Sequence, residues 1–123
     1  MRAKREVDVV DTATQRRVLV VEDEPTIAES VAARLRAEGF AVEVAGDGPG
    51  AVAAARRTQP DAVVLDVMLP DGSGLDLCRR IRRGEAAWDA ATAVLVLSAR
   101  AEEVDLLRSF ERGADEYVLK ATP

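Results

Sequence analysis

From Arg17 to Lys120, short apolar runs alternate with longer stretches in which apolar residues recur every three or four positions. Runs of five or six suit buried strands, and a period near 3.6 suits helices packed on one side. The alternation therefore predicts βα units on a parallel sheet, an α/β fold. The predicted strands are 17–22, 40–45, 61–66, 93–98 and 116–120. The first predicted helix starts at Pro25, where a missing N–H does no harm, turns Ile27, Val31 and Leu35 inward, and stops at Gly39. Asp47 is placed to cap a second, alanine-rich helix that ends before Pro60. A third helix carries Leu75, Cys78 and Ile81, and a fourth carries Val104, Leu107 and Phe110, with Gly113 as its stop. "VMLPDGSG", 67–74, reads as a loop. Residues 1–16 mix charges and small polar groups and read as a flexible N-terminal extension, which leaves 17–123 as one domain.

The polar positions acquire meaning once the strands are laid side by side. Four of the five apolar runs end on a polar group: Glu22 and Asp23 after the first, Asp66 after the third, Ser98 after the fourth and Lys120 after the fifth. In a parallel sheet these ends share one edge, the edge where open α/β sheets bind ligands. Adjacent carboxylates repel unless a cation joins them, and an all-oxygen set favours a hard ion such as Mg²⁺. A carboxylate beside such an ion can attack a phosphoryl group and become an aspartyl phosphate, with Lys120 and Ser98 steadying the phosphoryl oxygens. The plainer alternative is that strand-end acids cap the helices that follow. For Glu24, just before Pro25, that is the preferred reading.

Composition narrows the chemistry further. The 123 residues contain no histidine and one cysteine, Cys78, so this chain has no imidazole base, no phosphohistidine of its own and no internal disulfide. Cys78 falls on the apolar side of its helix and reads as a buried, inert thiol. A net charge of −5 argues against direct nucleic-acid binding. No apolar run reaches the length of a membrane span and no secretory signal precedes the domain, so no membrane contact and a cytoplasmic location are expected. Trp88, in the polar connection before the fourth strand, reads as a loop residue covering a helix end, and "RRIRR" at 79–83 as a solvated helix face.

"VLVVEDEP", "VVLDVMLPDGSGLDLCRRIR", "VLVLSAR" and "GADEYVLK" follow one another in the order and at the separations seen in receiver domains of two-component response regulators, and the chain resembles that family over 17–120. The resemblance implies a flavodoxin-like sheet of order 2-1-3-4-5. It makes Asp66 the phosphoacceptor, Asp23 a direct Mg²⁺ ligand, Glu22 a ligand through water and the Met68 carbonyl a further ligand. It also makes Ser98 the hydroxyl that turns toward the phosphoryl group and Tyr117 the ring that follows it inward. The implied phosphodonor is a sensor histidine kinase or a small phosphodonor, and the implied role is to gate an output, most simply transcription through a DNA-binding domain outside this chain. Met68 and Arg100 occupy the two variable positions that tune phosphoryl lifetime in the family, and the pair resembles transcription-factor receivers.

Two departures from the family pattern stand out. Ala121, rather than proline, follows Lys120, which disfavours a cis peptide there because a non-proline cis bond costs about 3 kcal/mol. The sequence also stops three residues past Lys120, without the fifth helix that covers one sheet face in the family. The expectation is either a piece of a longer regulator or a face covered by a partner, with self-association through the bare sheet or through the fourth-helix and fifth-strand surface. Two other readings stay open: a binding module of the same fold that works without phosphorylation, and a Mg²⁺-dependent phosphatase acting on an external substrate.

Overall fold

The computed structural model describes residues 15–66, 69, 74–85, 88–98 and 116–119, with backbone alone at Leu75, at Ser98 and over 116–119. Five strands form one sheet: β1 (Arg17–Val21), β2 (Ala41–Ala45), β3 (Ala62–Asp66), β4 (Ala93–Ser98) and β5 (Glu116–Leu119). All neighbours are parallel and the order is β2-β1-β3-β4-β5, the doubly wound arrangement expected above. The helices are α1 (Pro25–Ala37), α2 (Gly48–Thr58) and α3 (Gly74–Arg83). The predicted fourth helix, the Lys120 position and most of the 67–74 loop lie outside the described residues.

Right-handed crossovers place α1 on one face and α2 and α3 on the other. The larger core lies under α2 and α3, where Leu19, Val21, Val63, Leu65, Val94 and Val96 of the sheet meet Ala51, Ala54, Ala55, Leu77, Cys78 and Ile81. The buried alanines of α2 let that helix approach the sheet closely. On the opposite face Val18, Val20, Val64 and Leu97 pack with Val31 and Leu35 of α1 and with Phe40, Val42 and Val44. The residues of α1 that vanish from solvent are Ala28 and Ala32; Ile27, Val31 and Leu35 flank them and stay half-buried. Val64 and Leu97 are buried, Ala62 and Leu95 half-buried, and Ala93 is exposed.

The helix ends follow the sequence signals, with one exception. After α1, Phe40 N–H donates to Leu35 O at 3.1 Å and Gly39 N–H to Arg36 O at 3.0 Å, a Schellman closure. Gly39 sits at φ +98°, which glycine adopts without steric cost. Asp47 caps α2 by accepting from Gly50 N–H at 2.8 Å. That helix closes on Gln59 in the left-handed region at φ 49°, immediately before Pro60. The exception is Glu24: it occupies the N-cap position of α1, but its side chain makes no capping hydrogen bond. The glutamate side chain is one carbon longer than the aspartate that caps α2, and here the local turn uses the Glu24 backbone instead.

The edge of the sheet opposite the acids is tied by Asp61. Its carboxylate accepts from Arg17 N–H at 2.8 Å, its own N–H donates to Arg17 O at 2.8 Å, and its carbonyl accepts from Ala93 N–H at 3.1 Å. Arg82 donates to the carbonyls of Ala90 at 2.7 Å and Thr92 at 2.6 Å, pinning the connection into β4 to α3. The "RRIRR" segment is thus only partly a solvated face: Arg79 and Arg83 are exposed, Ile81 is buried and Arg82 is a tether. Trp88 lies in the connection before β4, as its sequence reading expects. It is 4% exposed and belongs to the main core.

Candidate metal centre

Three carboxylates meet at the C-terminal edge of the sheet. Register explains why. Val21 pairs with Leu65, so Glu22 and Asp66 are the next residues along the adjacent strands β1 and β3. One oxygen from each of Glu22, Asp23 and Asp66 lies within 4.8 Å of the others. Glu22 and Asp66 are 2% and 3% exposed, while Asp23 faces solvent. Buried carboxylates this close together call for compensating positive charge or hydrogen bonds.

The backbone holds these groups firmly. Glu22 N–H donates to Ala45 O at 2.9 Å, carrying the β1–β2 ladder one residue beyond Val21. Glu22 Oε2 in turn accepts from Glu24 N–H at 3.2 Å, so the turn into α1 orients the carboxylate. Asp66 closes β3 opposite Leu97, one residue before Ser98 ends β4. Tyr117 lies on β5 opposite Val96. Met68 and Lys120 lie outside the described residues. Sequence reasoning brought the three acids together correctly and missed the Glu24 amide, because a backbone donor carries no residue-type signal.

The donor set tests well against a hard divalent ion. It is all oxygen, anionic and partly buried, it contains neither thiolate nor imidazole, and Asp23 remains open to solvent for entry. The arrangement can hold a cation and present one buried carboxylate, Asp66, next to it.

Fold and site together define a parallel α/β domain with three carboxylates gathered at the C-terminal edge of its sheet. The family model described as the response regulator receiver domain matches residues 18–123, and the chain belongs to that family. It is 43% identical over 111 residues to the DNA-binding response regulator MtrA of Mycolicibacterium smegmatis, an alignment covering 90% of this chain and 46% of the relative. The chain thus spans less than half the length of the curated relatives it matches. Among solved structures it is similar to the response regulator TrrA of Thermotoga maritima in complex with Mg²⁺ and BeF (TM-score 0.73, 33% identity, covering 87% of this chain and 88% of that one). It is also similar to the receiver domain of the sensor histidine kinase PA1611 of Pseudomonas aeruginosa, with magnesium coordinated in its active-site cleft (TM-score 0.74, 30% identity, covering 89% and 88%).

Proposed function

We propose that this domain is a phosphorylation-activated switch in which Asp66 accepts a phosphoryl group from the phosphohistidine of a partner sensor kinase. The observation that carries the reading is the buried Asp66 carboxylate held beside Glu22 and Asp23 at the sheet edge. An Asp66 oxygen attacks phosphorus in line, the P–N bond to the donor imidazole breaks, and the imidazole, already protonated on its other ring nitrogen, leaves neutral with the bonding electron pair. Glu22, Asp23, Asp66 and the Met68 carbonyl would hold Mg²⁺, which supplies charge neutralisation for the transferring phosphoryl oxygens. Lys120 adds a second positive group, and the Ser98 hydroxyl donates to a phosphoryl oxygen. Tyr117 follows Ser98 inward and passes the change to the β4–β5 surface. The relatives with Mg²⁺ and a phosphoryl mimic, or with magnesium alone, in receiver domains support this assignment.

The output is transcription, through a DNA-binding region outside these 123 residues, as the likeness to a DNA-binding response regulator suggests. The protein acts in the cytoplasm; no helix among the described residues is long and apolar enough to cross a membrane. It promotes its own phosphorylation and dephosphorylation and turns over no external substrate. Its partners are the kinase and a second copy, met through the fourth-helix and fifth-strand surface or the sheet face around Ala62 and Leu95. A binding module that works without phosphate would be favoured by a lost acid, and all three acids are in place.

Intact mass after incubation with Mg²⁺ and acetyl phosphate tests the proposal, with Asp66→Asn and chelated samples as controls. One phosphoryl adduct, absent from both controls, is expected, and size-exclusion chromatography of the same samples reads any change of oligomeric state. No adduct on a folded, Mg²⁺-binding protein would overturn the acceptor role and leave the binding-module reading standing.

A further inference from the structure

We infer that Pro25 is a positioning residue for the metal centre, acting through the Glu24 amide on Glu22; the inference rests on the metal-binding reading of the site. Glu22 is gripped at two points. Its N–H is fixed by Ala45 O at 2.9 Å, and its Oε2 accepts from Glu24 N–H at 3.2 Å. The second contact depends on the path of the chain through Glu24, and that path is set by the residue after it. A proline disfavours the helical region for the residue before it and biases that residue toward extended backbone. Glu24 is extended, at φ −84° and ψ 109°, although the next residue already opens α1. Without the proline, α1 could wind back by a residue and carry the Glu24 amide away from Glu22.

Proline contributes a second effect by lacking an N–H. The first turn of a helix presents several free amides that draw carboxylates. Pro25, the first helical residue, deletes one of them and leaves the Glu24 amide as the donor placed on Glu22. An alanine there would restore a free amide to the first turn, next to the segment that carries Glu22 and Asp23. The helix itself is held by other means: Ala28 and Ala32 are buried against the sheet, and Ala28 N–H donates to Glu24 O at 2.9 Å. Pro25 is itself exposed, so its replacement removes no core packing.

The test is Mg²⁺ titration by isothermal calorimetry of the wild type, Pro25→Ala, Pro25→Ser and Thr26→Ala, with melting curves recorded without metal. Both Pro25 variants are expected to bind Mg²⁺ about tenfold more weakly, the lower end of what losing a partner of a metal ligand costs. Thr26→Ala, in the same turn, is expected to match the wild type. The rate of phosphorylation by acetyl phosphate should recover in the Pro25 variants at saturating Mg²⁺, since Asp66 is untouched. Equal affinity in wild type and a folded Pro25 variant would overturn the inference while leaving the metal centre intact. Weakened affinity in Thr26→Ala to the same degree would also overturn it, by showing that any change to this turn suffices. Absence of Mg²⁺ binding by the wild type would overturn the metal-centre reading and the inference together.

Discussion

At the scale of single residues, the governing fact is that two acids are buried where a hydrophobic core would be more stable. Glu22 and Asp66 lie at the ends of the adjacent strands β1 and β3, next to exposed Asp23, so three like charges meet at one edge of the sheet. Asp66→Asn keeps the shape and removes one charge. Metal-free Asp66→Asn is therefore expected to be more stable than the metal-free wild type by on the order of 1 kcal/mol, the size of gain typical when a strained functional group is relieved. Urea unfolding in the presence of a chelator reads this directly. A less stable Asp66→Asn would mean that the carboxylate is a net structural asset and that the repulsion is compensated within the chain.

At the scale of elements, the strongest local signals are the helix ends. Gly39 and Asp47 were legible because each terminates or caps by its own residue chemistry, and both do so in the fold. Gln59 was not, since nothing about glutamine announces left-handed backbone. Its φ of 49° is a conformation that costs a residue with a Cβ roughly 1 kcal/mol, and Pro60 prevents the helix from simply continuing. Gln59→Gly removes that strain but loosens the unfolded chain, so a net stabilisation of about 0.5 kcal/mol is expected by thermal melting. Destabilisation would show that the Gln59 side chain contributes packing that its exposed position does not suggest. Glu24 was misjudged because the reading used residue type and neighbours alone: its side chain caps nothing, and its backbone N–H serves Glu22 instead.

At the scale of the whole molecule, strand order turns scattered acids into one site. Residues 22 and 66 are far apart in sequence and adjacent only because β1 lies between β2 and β3. A cation bound there couples the local repulsion to global stability: a ligand at a hundred times its dissociation constant stabilises by about 2.7 kcal/mol if the unfolded chain does not bind it. Thermal melting is expected to rise with Mg²⁺ in the wild type and to change much less in Asp66→Asn; equal shifts in both would place the ion elsewhere.

The sequence alone determined the βα alternation, the nature of the helix boundaries and the identity of the acids, because periodicity, capping and strand ends are written in residue type over short distances. It also carried the family resemblance on its four motifs. Tertiary structure decided how closely the carboxylates approach one another, that the Glu24 amide rather than its side chain serves the turn, and how deeply Trp88 is buried. These depend on register between distant strands and on backbone hydrogen bonds, and such contacts have no signature in the composition of the segments that make them.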